Sequence, residues 1–196
     1  MVTLLLRRRE MMSSREPVVP DWDYEWDYTK GLLDANGNGF EKLTSGGSVS
    51  ITGTYLQFAG SSSSYTSYAM PTGYTTGVME AELYTTSNAQ MRLYFGNGEY
   101  GIGIRLQTSS NYKGIYLGNT LTTKLVTAAA STKYTIRIVL KGTTGDVYVN
   151  GNLVSEDTDV TSLTACSKIS VFGLGTGSAS QKSRLYSIKM KFGRIT

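Results

Sequence analysis

Apolar and polar residues alternate with a period of two along much of the chain. The clearest stretch is YTIRIVLKGTTGDVYVNGNLV, residues 134–154. Tyr134, Ile136, Ile138 and Leu140 alternate there with Thr135, Arg137, Val139 and Lys141, the pattern of a strand with one buried face. Gly142 to Gly145 interrupts the pattern with turn residues, and Val147 and Val149 resume it. Asn150-Gly151 then predicts a two-residue hairpin, because a type I′ turn needs positive φ at both central positions. Leu153 and Val154 begin the return strand. The burial expected from this alternation falls on Ile136, Ile138, Leu140, Val147, Val149, Ile188 and Met190.

The same reading predicts strands over 48–52, 55–59, 77–84, 89–95, 100–107, 113–117, 121–126, 134–141, 146–150, 153–155, 168–173 and 184–192. Met91, Leu93 and Phe95 oppose Arg92 and Tyr94; Ile102, Ile104 and Leu106 oppose Gly103 and Arg105. Regular strands with one polar face and little helix indicate an all-β, two-sheet antiparallel sandwich. Ser61–Ser64 is a low-complexity tract expected in a loop.

The first thirty residues have another character. Residues 1–16 hold Leu4, Leu5 and Leu6, then Arg7, Arg8 and Arg9, then Met11 and Met12. Pro17 to Pro20 is an extended spacer. Residues 21–28, DWDYEWDY, carry both tryptophans, Trp22 and Trp26, and four acids. Alternation there places Trp22, Tyr24, Trp26 and Tyr28 on one face and Asp21, Asp23, Glu25 and Asp27 on the other. One half-buried strand is expected, either closing the end of its own domain or docking on another chain. The division is an extended arm over residues 1–30 and a sandwich over 31–196. In the arm, Leu4–Leu6, Arg7–Arg9, Met11, Met12, Trp22 and Trp26 are the candidate assembly residues: apolar area that a lone arm leaves in water, beside donors suited to acidic or carbonyl-rich surfaces.

Taken in order, LQFAG with a Ser/Tyr-rich loop, GVMEAELY, YTIRIVLKGTTGDVYVNGNLV, KISVFGLG and RLYSIKMKF resemble the concanavalin A-like, laminin G-like jelly roll across residues 40–194. In that family a strand precedes a "y-v-N-G" element, and a late Gly-rich strand precedes a final alternating one. The resemblance implies a jelly-roll sandwich and leaves function open, because the fold hosts lectins, glycosidases and structural domains. The leader is similar to the starts of small virion proteins of tailed bacteriophages. That resemblance implies a non-enzymatic structural protein of a phage particle, such as a capsid decoration, head-fibre or tail-associated protein. It would be held by its arm to other virion proteins, form a homo-oligomer, and be assembled in the host cytoplasm without a signal peptide. The alternative is a carbohydrate-binding module acting on cell-surface glycans.

Composition narrows the chemistry. Histidine is absent and Cys166 is the lone cysteine, which removes Ser-His-Asp and Cys-His arrangements, cysteine-rich metal clusters and the usual zinc sites. A net charge of +4 is too mild to argue for nucleic acid. No run approaches the ~18 apolar residues of a membrane span. Neither a cofactor nor a metal is expected. Asp34-Ala35-Asn36-Gly37-Asn38-Gly39 matches half a calcium loop, but Ser45 stands where the closing Glu belongs, and Asn-Gly turn chemistry explains the run. Glu156, Asp157 and Asp159 are loop acids of the kind that bind calcium in some members of the fold. Lys182, Arg184, Lys189, Lys191 and Arg194 bias the C-terminus, and Lys189 and Lys191 share an outward face.

For catalysis the one candidate is Glu80 with Glu82, positions i and i+2 on a strand face, without the further acids that glycosidases of this fold use. No catalytic residue is assigned. Carbohydrate recognition requires aromatic faces beside amides and hydroxyls. Tyr65, Tyr68 and Tyr74 around the Ser-rich loop, with Asn111 and Tyr112 at another, are the candidates.

Overall fold

The computed structural model describes residues 22–27, 48–52, 54–59, 64–97, 100–109, 111–118, 121–160, 166–175 and 182–193. Within them two antiparallel sheets form a jelly-roll sandwich. The larger sheet runs β12 (Asn152–Asp159), β11 (Thr144–Val149), β10 (Lys133–Lys141), β5 (Thr76–Thr85), β14 (Lys182–Phe192), β3 (Leu56–Ala59) and β2 (Ser48–Ile51), and β1 (Tyr24–Asp27) pairs with β14 as its eighth strand. The smaller runs β4 (Ser64–Tyr74), β13 (Cys166–Gly175), β6 (Ala89–Asn97), β7 (Tyr100–Ser109), β8 (Tyr112–Leu117) and β9 (Thr123–Val126). Among the described residues no helix is long and apolar enough to cross a membrane, a statement that does not bear on β-barrels.

The alternating positions become the core. Ile136, Ile138, Leu140, Val147, Val149, Ile188 and Met190 are all buried, with Met91, Leu93, Phe95, Ile104 and Leu106 facing them from the other sheet. Asn150 and Gly151 have φ of 50° and 80°, the positive pair that the hairpin needs. Asn150 also secures its neighbour: its Oδ1 accepts from the Thr135 N–H at 2.9 Å, and its own N–H donates to the Thr135 carbonyl at 2.8 Å.

One close approach joins the sheets. A Cβ placed on Gly173 of β13 would lie 2.2 Å from the Cβ of Phe58 on β3. Only glycine lets the Phe58 ring seat there.

The structure corrects the reading of residues 64–74. They form β4, an eleven-residue strand paired with β13, where a Ser/Tyr-rich loop is expected. Its Ser, Thr and Tyr content lacks apolar alternation, and among the described residues it is an edge strand, paired with β13 alone. An edge position relaxes the demand for a repeating buried face.

The arm is corrected as well. Trp26 is 0% exposed and belongs to the sandwich core, so it is not an anchor to a partner. β1 and β3 lie end to end along one side of β14: β3 pairs with Lys182–Leu185, and β1 with residues 187–190. Alternation holds only within β1. The chain bends at Asp23, and Trp22 packs on the opposite side of the sheet with Val78, Val139 and Tyr148. The acids that alternate with the aromatics meet the C-terminal cations: Glu25 lies 3.2 Å from Lys189, and Asp23 2.9 Å from Lys191. Asp23 Oδ2 also accepts the backbone N–H of Phe192 at 2.8 Å. The remaining arm candidates, Leu4–Leu6, Arg7–Arg9, Met11 and Met12, the boundary at residue 30 and the turn at 34–39 lie outside the described residues.

Candidate functional site

Glu80 and Glu82 share the face of the larger sheet turned away from the core. Each is held by a cation of β10: Glu80 Oε2 accepts from Arg137 Nη2 at 2.7 Å and Nε at 2.9 Å, and Glu82 lies 2.8 Å from Lys133. Glu80 stands directly opposite Arg137 in the register, and Glu82 stands opposite Thr135, diagonal to Lys133, so the pairs bind β5 to β10. Carboxylates engaged in this way fit a structural role.

The sugar candidates separate. Tyr65 and Tyr68 are strand residues of β4, in register with Phe172 and Ile169. Tyr74 stacks on Phe192 with centroids 4.0 Å apart and packs against the core. Phe192 takes one face of its ring, and the side chain is half-buried. Asn111 and Tyr112 are exposed at the β7–β8 turn, and Tyr112, at 47%, is the exposed large hydrophobic side chain among the described residues.

Tyr112 leads to a site that the sequence reading did not assemble. In the smaller sheet Met91, Leu93, Phe95, Ile102, Ile104, Leu106, Ile115 and Val171 point into the core. The alternate positions form the outer face. Register places Arg92 opposite Arg105, Arg105 opposite Tyr116, Gln90 opposite Gln107, and Ser109 opposite Tyr112. A hydrogen-bonded strip follows β7 across this face. Arg105 Nη2 donates to Gln90 Oε1, Arg105 Nε donates to Gln107 Oε1 at 3.1 Å, and Gln107 Nε2 donates to Ser109 Oγ at 2.8 Å. At ~3.4 Å per residue, the strip from Arg105 to Ser109 is about 14 Å long, and it ends beside the Tyr112 ring.

Two glycines shape the floor. A Cβ on Gly103 would lie 2.9 Å from Tyr94 Cε1, and one on Gly114 would lie 2.9 Å from Tyr116 Cε2. Each tyrosine thus leans over a glycine, Tyr94 across to β7 and Tyr116 back along β8. Both rings are buried, as are Gln90 and Gln107, while Arg92 and Arg105 are half-buried. Tyr116 stands opposite Arg105 in the register, and Tyr94 opposite Gly103, two residues along the same strand. Burial, and next the Arg92 charge, lower the Arg105 pKa below the usual arginine range, opposed by Tyr94 and Tyr116. An arginine remains protonated even so. None of the six strands of this sheet contains an Asp or Glu.

The signal for this site was present in the alternation of Arg92 and Tyr94 against β6 core residues and of Gly103 and Arg105 against β7 core residues. What alternation lacks is the register that sets the two arginines side by side. Among the described residues no group of three or more His, Cys, Asp or Glu is arranged to hold a metal ion.

No family model matches the sequence, and no curated protein matches it either. Solved structures do share the fold. A sialidase superposes with a TM-score of 0.67 at 14% identity, covering 91% of this chain and 19% of that one. The apo Crh5 transglycosylase gives 0.64 at 10% identity, covering 88% and 85%. The carbohydrate recognition domain of Emp46p, in a metal-free form, gives 0.56 at 9% identity, covering 76% and 88%. This chain spans about a fifth of the sialidase's length. At these identities the likeness is one of fold alone.

Proposed function

We propose that the chain is a non-enzymatic saccharide-binding β-sandwich whose ligand lies on the outer face of the smaller sheet. The observation that carries this reading is the Gln90–Arg105–Gln107–Ser109 strip ending at the exposed Tyr112 ring. Hydroxyl-rich ligands are held by fixed amide, hydroxyl and guanidinium groups beside one aromatic face, and this strip supplies all of them in a rigid frame. The comparison with a domain described as a carbohydrate recognition domain supports the same reading.

Hydrolysis is disfavoured on this face for a chemical reason. Glycoside cleavage commonly uses two carboxylates roughly 5–9.5 Å apart. The six strands offer none, and the Glu80–Glu82 pair of the other sheet is engaged by Arg137 and Lys133.

The test is a binding measurement on the full chain against a panel of soluble polysaccharides by calorimetry. Tyr112→Ala and Gln107→Ala should each weaken the best ligand about tenfold, the loss of ~1.4 kcal/mol. Unchanged affinity in both variants would remove this face from the reading. Attachment to a virion or to further copies of the chain, through Leu4–Leu6, Arg7–Arg9, Met11 and Met12, is a separate proposal. It predicts that deleting residues 1–21 abolishes incorporation into the particle or oligomer and leaves saccharide binding intact.

A further inference from the structure

Resting on that reading, we infer that the saccharide is acidic, with a carboxylate or sulfate seated between the Arg92 and Arg105 guanidinium groups. These two side chains stand directly opposite each other on neighbouring strands. Like charges so placed destabilise a sheet, because their Cβ atoms are only about 4.5–5.5 Å apart. In an ordinary sheet face a carboxylate on an adjacent strand would neutralise the pair. The strands flanking β6 and β7 have no Asp or Glu to do so.

A second observation points the same way. Arg92 Nε is buried and donates to nothing among the described residues. A buried guanidinium donor without an acceptor carries a desolvation cost, which a turn of the side chain toward an incoming oxyanion removes. Arg105, by contrast, is aimed by its bonds to Gln90 and Gln107. One arginine is preorganised and the other holds an unused donor. The planar fork of arginine matches the paired oxygens of a carboxylate or sulfate. An acidic ligand gains from two adjacent guanidinium groups an attraction that a neutral sugar cannot.

The experiment compares matched probes with the full chain at about 0.15 M salt, where surface attraction beyond ~8 Å is screened. Polygalacturonate is set against its methyl ester, and dextran sulfate against dextran, which separates carboxylate from sulfate as the source of the anion. Inorganic polyphosphate serves as a polyanion without sugar. The acidic member of at least one pair should bind about tenfold or more tightly than its neutral partner. Arg92→Gln and Arg105→Gln should each abolish that preference. Lys113→Gln removes the same charge from an exposed residue of β8 that alternates with the outer-face positions, and should retain it.

If neutral and acidic members bind alike and the arginine variants keep their affinity, the inference fails and the saccharide reading stands. Should polyphosphate bind as tightly as the acidic saccharides, charge alone is recognised and both fail. Absence of binding to every saccharide overturns both. Circular dichroism of each variant separates loss of binding from loss of fold.

Discussion

Replacing Trp26 by alanine tests whether the segment before the sandwich is part of its core. The indole is fully buried, and Tyr24 stacks on it with centroids 5.8 Å apart. Tyr24 in turn meets Phe192 edge-on at 5.9 Å. Truncating a buried tryptophan to alanine costs about 3–5 kcal/mol, from lost transfer energy and the cavity left behind. For a chain of 150–250 residues about 2–4 °C follows each kcal/mol, so the melting temperature should fall by roughly 6–20 °C. Thermal unfolding followed by circular dichroism measures it, beside a variant lacking residues 1–21. That truncation leaves β1 and its bonds to β14 in place and should melt within about 2 °C of the full chain. A Trp26→Ala shift below about 2 °C would refute the docking of β1. A loss on truncation equal to that of Trp26→Ala would refute the separation of leader from core.

Three further outcomes follow from the packing. Gly173→Ala forces a methyl group to within 2.2 Å of Phe58 Cβ and should cost about 1–3 kcal/mol in urea unfolding; combined with Phe58→Ala, which removes Cγ at 2.6 Å and Cδ1 at 3.2 Å, it should cost less than the sum of the two single changes, and strict additivity would show that the two do not touch. Asp146, buried, accepts from the Asp157 N–H at 3.0 Å and lies 2.7 Å from Lys141, so Asp146→Ala should cost about 1–3 kcal/mol by orphaning that donor. The hydrogen bond to Asp146, assisted by Asp157, raises the Lys141 pKa above its ordinary value. A raised lysine stabilises the fold fully below the unfolded pKa of about 10.4 and ceases to do so as pH rises through the folded value. The stability gap between the wild type and Lys141→Met should therefore be constant below about pH 9 and shrink as pH rises past the unfolded pKa and through the folded one; a gap that widens there contradicts the assignment.

Much of the fold was legible because local rules and tertiary demands agree in it. In β10 and β11 every second side chain is apolar, and Asn150-Gly151 accepts the positive φ of a tight turn, so strand, face and connection could be read from neighbours in sequence. β4 was not legible. Its edge position and Ser/Tyr-rich composition erase the period, and its pairing depends on β13, about a hundred residues away. The acids of 21–28 and the cations of the last strand were both visible, but their meeting needed β14 to leave a length of edge open beyond β3.

The candidate site divides along the same line. Sequence alone determined that Arg92, Tyr94, Gly103 and Arg105 alternate with core residues and so leave the core, because the strand period is two whatever the surroundings. It also determined that no carboxylate accompanies them in their strands. Tertiary structure alone decided that Arg92 faces Arg105. The β6–β7 register, with Asn97 opposite Tyr100, propagates along the ladder until the arginines coincide, and a slip of one residue would turn one strand's polar set into the core. Burial of Met91, Leu93 and Phe95 against the larger sheet forbids that slip. The hydrophobic effect acting between the sheets, rather than any attraction between the arginines, holds two like charges side by side.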